Sequence, residues 1–344
     1  MGRLALATQW STAVAVTSRR PLVSVVIPTF NRARVLPRAM ESVLSQTLTD
    51  LELVIVDDGS TDETPRLVAS VPDPRVRYLR LDHNRGIGAA RSEGVQQSRA
   101  DLIAFLDSDD RWTRGKLAEV VQVFALHPGV DLVFSDYEDI NARRNTRDHG
   151  FEQAAEVLRT LRVAPLEAGW WTIEDGVPEG LARSNFVGTA SVVTLRRTVF
   201  DQAGNFRTDL SGPEDLEFLW RAAVKGGARF AYTTQVLVER NKDEDGITAR
   251  KRAYAPQRMR ALDACEETAR AVGRLDLLPH LRRARARTCC DLIEACALEG
   301  RRAEALRAFR GSFRYGMSFD AVRYAAEALA GPRLVSLARR LVLR

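Results

Sequence analysis

Four short apolar runs, each followed by a polar turn, alternate with stretches of helical spacing over the first third of this chain. That alternation constrains the fold more than any other feature. The runs are Val23 to Ile27, ended by Pro28, then Leu51 to Val56, Val76 to Leu81 and Asp101 to Leu106. Each has the length of a buried strand. Helical spacing follows at Val35, Ala39, Val43 and Leu44, behind Asp62 toward Val68, and from Gly88 to Gln97. A β-α-β-α-β-α-β order implies an α/β fold, a mainly parallel sheet flanked by helices. Right-handed crossovers bring the carboxyl ends of the strands to one rim, where open α/β sheets bind ligands.

Beyond residue 110 the pattern loosens. Asp131 to Ser135, Val187 to Thr194 and Arg229 to Val238 read as strands, and Glu214 to Val224 as a helix opened by Gly212-Pro213. Arg143 to Arg183 reads as an irregular polar stretch containing Trp170-Trp171. From about Ala249, Ala, Leu and Arg dominate at helical spacing. The expected organisation is a flexible segment over 1–20, an α/β domain over 21–245 and a helical extension over 246–344.

Composition narrows the partners. Hydrophobic content of 45% and charged content of 28% are ordinary for a soluble globular chain. Only four of the 51 basic residues are Lys, so positive charge comes mostly as planar guanidinium forks suited to phosphates. The net charge of +6 gathers late, from Arg282 to Arg344. A solvated helix face explains it, and peripheral contact with an anionic membrane surface is the sharper alternative. No nucleic-acid reader motif accompanies the charge, and no such partner is expected.

Cys265, Cys289, Cys290 and Cys296 show neither metal-ligand spacing nor a disulfide framework, in keeping with a reducing cytoplasmic setting. The apolar patch Ala13 to Val16 is far below the roughly 20 residues of a membrane span. It lacks a cleavage pattern as well, and no transmembrane segment is expected.

Chemistry-bearing residues sit where the runs end. Asp107-Ser108-Asp109-Asp110 follows the fourth run. Carboxylates packed there repel one another unless a cation intervenes, which points to Mg²⁺ or Mn²⁺ shared with a substrate diphosphate. An acidic turn capping the next helix is the plainer reading of the same residues. Asp57-Asp58-Gly59-Ser60 follows the second run; one Asp suits a turn or cap, and the other can accept N–H groups of a base. Pro28-Thr29-Phe30-Asn31-Arg32 can line a nucleotide, with Arg32 near a phosphate. In Asn84-Arg85-Gly86-Ile87-Gly88-Ala89-Ala90-Arg91, Gly88 permits close approach at a helix start, and Arg85 or Arg91 can face the diphosphate or base. At Gly212-Pro213-Glu214-Asp215, acidic residues suit a first helical turn, or Asp215 is a general base with Glu214 holding the acceptor or tuning it. Trp171 can stack on an acceptor sugar or lie in the core.

Together VSVVIPTFNR, DDGSTDET, NRGIGAAR, DSDD and EDLEFLWR resemble the signature series of family 2 glycosyltransferases. The resemblance spans residues 22 to 240. It implies a GT-A fold, a nucleotide-sugar donor, UDP-linked by preference with GDP- and dTDP-linked donors as alternatives, and inversion by one in-line displacement. Asp58 would contact the base, with Pro28, Thr29 and Arg32 lining its pocket. Asp107, Ser108 and Asp109 would form the DxD-like element, with Asp109 the direct metal ligand, and Asp215 would be the base. A glycan or lipid-linked acceptor, in bacterial surface polysaccharide or glycoconjugate synthesis at the inner face of the membrane, follows by the same analogy. Many relatives carry a His or an Arg-rich segment after the last strand; here Arg240-Asn241-Lys242-Asp243 stands, with no His, leaving the third metal ligand open and Arg240 or Lys242 as phosphate contacts.

Two rival classes fit parts of the pattern. A sugar-nucleotide pyrophosphorylase would share the sheet and the carboxylates, but Pro28–Arg32 has neither the Gly nor the Lys of its phosphate loop. A non-catalytic nucleotide- or glycan-binding protein would account for the missing His. Oligomeric state is left open by the sequence.

Overall fold

The computed structural model describes residues 20–141, 145–242 and 251–316, together with 322, 324 and 325. The expected flexible amino-terminal segment, the boundary at 245, Asp243 and the last arginines lie outside the described residues. The first half runs β1 (Val23–Thr29), α1 (Leu36–Leu44), β2 (Leu51–Asp57), α2 (Thr64–Ala69), β3 (Val76–Arg80), α3 (Ile87–Gln97), β4 (Leu102–Phe105), β5 (Arg111–Trp112) and α4 (Lys116–Leu126). Next come β6 (Leu132–Asn141), β7 (Thr146–His149), α5 (Gly150–Leu158), β8 (Arg162–Pro165), β9 (Trp170–Asp175) and α6 (Val177–Arg183). The remainder is β10 (Thr194–Arg196), α7 (Arg197–Ala203), α8 (Glu214–Val224), β11 (Phe230–Asn241), α9 (Lys251–Ala271), α10 (Leu278–Leu298) and α11 (Arg302–Ser312).

One sheet carries the fold in the order β3-β2-β1-β4-β10-β6-β11-β9-β8, with β5 on β11 and β7 on β6. β3, β2, β1 and β4 are mutually parallel, as the alternation requires. β10 enters antiparallel between β4 and β6, so the sheet becomes mixed beyond the fourth strand. β1 and β2 are buried along their whole lengths, which is why they read as continuous apolar runs.

Pro28 does not end β1; it pairs with Val56 inside the strand. The Val26 carbonyl accepts from Leu106 N, so the same edge of β1 at residue 28 looks past the end of β4, where no ladder donor is needed. The stretch expected as one strand over Val187–Thr194 is instead a short 3₁₀ turn at Ala190–Val192 followed by β10. Residues 143–183, expected to be irregular, contain β7, α5, β8, β9 and α6 wherever they are described.

The carboxyl-terminal helices share the body's core. Leu262, Cys265 and Ala269 of α9 and Leu281 and Ala284 of α10 belong to the same buried cluster as β1 and β2. A smaller cluster, including Cys290, Ile293, Cys296 and Ala305, joins the end of α10 to α11. None of the described helices is long and apolar enough to cross a membrane.

Lys116, at the start of α4, is fully buried, and its Nζ lies 4.4 Å from the Trp112 ring centroid with no hydrogen-bond partner among the described residues. Burial pushes its ammonium down to about 7, with Glu119 opposing the shift. The unfolded chain thus holds a proton that the folded chain releases between about pH 7 and the ordinary Lys value, so this group makes stability rise with pH across that window. Lys116→Met should raise the melting temperature at pH 7, by about 1–3 kcal/mol of stability. Its advantage over the parent should shrink by pH 10, as read by calorimetric melts at both values.

Candidate active site

Three loops at the carboxyl ends of β1, β2 and β3 are laced together by side chains. The Asn31 backbone N–H donates to Ser60 Oγ (2.8 Å), and Asn31 Oδ1 accepts from Thr61 N (2.8 Å) and Asp62 N (3.3 Å). Arg32 N donates to Thr64 Oγ1 (3.1 Å) and Ala33 N to Asp62 Oδ2 (3.1 Å). Asn31 takes a left-handed conformation (φ 54°), which its short polar side chain tolerates. It was not among the expected site residues. Its partners lie on another loop, and only that left-handed tolerance hints at them in sequence.

The adjacent aspartates divide their work. Asp57 accepts from Ser60 N (2.8 Å) and from the Tyr78 hydroxyl, closing its own turn. Asp58 reaches across, its oxygens accepting from Arg85 N (2.7 Å) and Gly86 N (2.8 Å) at the start of α3. Burial raises the Asp58 carboxyl above its ordinary value, and the two N–H donors only partly offset it. Each oxygen keeps capacity for a further acceptor bond. Pro28 and Thr29 are buried behind it, and Thr29 Oγ1 has no hydrogen-bond partner among the described residues. Arg32 and Arg85 stand exposed on the rim, as does Phe30, 41% exposed between them and β1.

Gly88 is buried in α3, where a Cβ would fall 2.4 Å from the Arg207 carbonyl oxygen, so its small size serves packing. Arg91 also departs from expectation. It is 2% exposed and spans two carboxylates, Nη2 donating to Asp107 Oδ1 (2.6 Å) and Nη1 to Glu214 Oε1 (2.6 Å). Those attractions outweigh burial and hold its charge firmly in place. Glu214, expected near the acceptor, is buried 3% exposed, with its second oxygen accepting from Gly212 N (2.7 Å). Arg91 and Glu214 therefore join the acidic turn to the first turn of α8 and do not line an open cleft.

Within the acidic turn the residues differ sharply. Asp110 is buried and accepts from Ser191 Oγ (2.6 Å) and Asn241 N (3.0 Å); burial, then the charges of Asp107 and Asp109, raise its carboxyl well above normal. Ser108 is buried within the turn. Asp107 Oδ2 accepts from Thr189 Oγ1 (3.3 Å), and Asp107 and Asp109 are the two that remain partly exposed. Among the described residues no group of three or more His, Cys, Asp or Glu side chains is arranged to hold a metal alone. The donor set fits a Mg²⁺ or Mn²⁺ bound through Asp109, with Asp107 beside it, and completed by substrate oxygens. Arg240 and Lys242 are both engaged by Asp139. Arg240 is bidentate to buried Asp139 (2.5 and 2.8 Å) and Lys242 Nζ lies 2.9 Å from the same carboxylate.

Asp215 opens α8 beside this cluster. Its Oδ1 accepts from Leu216 N (2.6 Å) and its Oδ2 from Asn185 Nδ2 (3.4 Å). Burial first, and the like charge of Glu214 second, push its carboxyl up to about 7 against the pull of Arg91. α9 covers the same spot. Gln257 Oε1 accepts from Ser211 N (3.3 Å), Arg258 Nη2 donates to the Arg183 carbonyl (3.2 Å), and Tyr254, on the same helix face, lies in the field of Asp215 and Glu214. Burial, then Asp215, push the Tyr254 phenol up to about 12.

Trp171 pairs with Tyr232 on β11 and stands 36% exposed.

A parallel four-strand half ending in an acidic turn, facing a Glu-Asp helix start across an antiparallel insertion, defines a GT-A type glycosyltransferase fold. Two solved structures share it. The mannosyltransferase PcManGT from Pyrobaculum calidifontis, in complex with GDP-Man and Mn²⁺, superposes with a TM-score of 0.57 at 19% identity, over 98% of this chain and 85% of that one. TarS residues 1–349 from S. aureus, in complex with UDP-GlcNAc, gives 0.55 at 17% identity, over 86% and 93%. Residues 24–178 match the family described as Glycosyl transferase family 2, and this part of the chain is a family 2 glycosyltransferase domain. Succinoglycan biosynthesis protein ExoO of Rhizobium meliloti is 46% identical over 102 residues, 30% of this chain and 29% of that protein. The chain spans well under half of that relative's length.

Truncating Arg91 would leave buried Glu214 and half-buried Asp107 without their shared cation. Arg91→Met should lower unfolding free energy by about 3–5 kcal/mol in denaturant titrations at pH 7.5.

Proposed function

We propose that this protein is an inverting, metal-dependent glycosyltransferase that moves a sugar from a nucleotide-sugar to an acceptor hydroxyl. The observation that carries the reading is Asp215. Its carboxyl is pushed to about 7 and joined, through Glu214 and Arg91, to the turn bearing Asp107 and Asp109. A carboxylate poised near neutrality is suited to take a proton from an attacking hydroxyl.

In this reading residues 21–245 form the catalytic domain and 246–344 a helical extension whose first helix covers the acceptor side. Asp58, Thr29, Pro28, Arg32 and Arg85 receive the nucleotide. The acceptor oxygen bonds to the anomeric carbon as the bond to the diphosphate oxygen breaks, and Asp215 takes the hydroxyl proton. A single displacement inverts the anomeric centre. The diphosphate departs as an anion and needs no protonation, so one base suffices. Mg²⁺ or Mn²⁺ at Asp109 would supply charge for the departing diphosphate. Arg91 holds Asp107 in register with Asp215.

A UDP-linked donor is favoured, because a carboxylate at the Asp58 position suits the uracil imide N–H; the S. aureus TarS complex with UDP-GlcNAc supports it, and the GDP-Man complex keeps guanine as the alternative. The relative ExoO, named for succinoglycan biosynthesis, supports assembly of a bacterial polysaccharide on a glycan or lipid-linked acceptor. We place that work in the cytoplasm, with the basic carboxyl-terminal helices able to rest on an anionic membrane.

Calorimetry with UDP-glucose, UDP-GlcNAc and GDP-mannose, with and without Mn²⁺, tests the donor side. Asp109→Ala should weaken Mn²⁺-dependent binding by at least about tenfold; unaltered binding would move the metal elsewhere. Asp215→Asn should lower turnover by about 10²–10⁴-fold while leaving donor affinity intact. Because the folded carboxyl sits above its unfolded value, its charge weighs against the fold increasingly from about pH 4 to pH 7. The same variant should therefore melt no lower than the parent at pH 8, with parent turnover rising through a limb near pH 7.

A further inference from the structure

We infer that Asn185 is the positioning residue of Asp215, holding that carboxylate in its reactive orientation from a loop locked on both sides. This rests on the reading of Asp215 as the base. The Asn185 amide has a defined direction. Its Oδ1 accepts from Gly188 N (3.1 Å), so its Nδ2 is the end that faces Asp215 Oδ2, 3.4 Å away.

The loop that presents it is fixed by its neighbours. Gly188 has φ 96° and packs on the Tyr137 ring so closely that a Cβ would fall 2.2 Å from a ring carbon; a side chain is excluded on both counts. Tyr137 is itself covered by the Arg240 guanidinium, 4.5 Å from the ring centroid. On the other side, the Arg183 carbonyl accepts from Arg258 of α9. Residues 183 to 188 are thus pinned between β6 and α9, with the Asn185 amide in the middle.

The hydrogen bonds on Asp215 leave a division of labour. Leu216 N binds Oδ1 and travels with the helix, so it cannot set the carboxylate relative to the rest of the cleft. Asn185 is the side chain from another segment that donates to Oδ2. The other groups around Asp215 carry charge or can titrate: Glu214 on α8, Arg91 on α3, Asp107 on the acidic turn, Tyr137 on β6 and Tyr254 on α9. Asn185 does not titrate, so its contribution is the same at every pH until the carboxylate itself is protonated. A donor to the charged form favours that form.

Asn185→Asp separates positioning from loop folding, since it keeps the acceptor for Gly188 N while replacing the donor with a second negative charge beside Asp215. Asn185→Ala removes both. Release of UDP from UDP-glucose with Mn²⁺, or of the nucleotide from whichever donor binds in the calorimetric panel, is followed from pH 5.5 to 9. Both variants should move the acid limb upward by about half to one unit, with Asn185→Asp moving it further. Turnover at pH 6 should then fall about three- to tenfold more than at pH 9. Thermal melts of Asn185→Ala, Asp215→Asn and the double variant need no turnover. They should show coupling at pH 8 that fades by pH 4. An unmoved limb with additive melts at both pH values overturns the inference. Coupling in the melts, alongside undiminished turnover in Asp215→Asn, upholds the Asn185–Asp215 link and sinks the base reading.

Discussion

The site depends on keeping several carboxylates together on a half-dry rim. Asp107, Asp109, Asp110, Glu214 and Asp215 all gather there, and like charges in a medium that excludes water repel strongly. The chain manages this in three ways. The single positive charge of the Arg91 guanidinium is shared between Asp107 and Glu214. Asp110 is supplied with two hydrogen bonds while burial and its neighbours drive its carboxyl upward toward the neutral form. Asp215 is left with the remainder, and its carboxyl rises to about 7. The reactivity of the proposed base is thus a consequence of how its neighbours are satisfied.

That arrangement also explains why the helical extension belongs to the site. Asp215 rises chiefly through burial, and α9 stands beside it with Tyr254 in its field. Gln257 holds the loop just before Glu214, and Arg258 holds the one that carries Asn185. The apolar side of the same helix, at Leu262, Cys265 and Ala269, is continuous with the core of the sheet. A boundary between sheet and tail can be drawn along the sequence, but the packing does not follow it.

The strand-and-turn order was legible because fully buried parallel strands announce themselves as unbroken apolar runs and because turns need particular residues. The helix at Glu214–Val224 was readable for the same reason, its acidic first turn suiting the helix dipole. Pro28 misled because a proline's missing donor matters only where a partner carbonyl waits, and β4 has already ended there. The strand expected at Val187–Thr194 failed because Gly188 and the Ser191 hydroxyl answer to Tyr137 and Asp110, partners that no local pattern reveals. Among site residues, the placement of Asp109 in the turn after β4 and of Asp215 at the start of α8 could be read from residue type and order. The commitments of Arg91, Glu214 and Gly88 could not, because each is set by a group more than 80 positions away or on another element. Asn31, Asn185 and Tyr254 were missed for that reason too.

Arg91 shows why such long-range commitments favour function over stability. A buried guanidinium between two carboxylates adds little to folding compared with apolar packing of the same volume, since all three groups lose water. Its value lies in geometry. The acidic turn follows β4 and the Glu-Asp turn opens α8, with the whole of β6 and β10 between them in the chain. Apolar contact would let these two segments slide relative to each other, whereas two short, directional hydrogen bonds to one planar group do not. In-line displacement needs the diphosphate and the base on opposite sides of one carbon, within a few tenths of an ångström. A rigid charged link between the element that would face the leaving group and the one that would face the nucleophile meets that requirement directly.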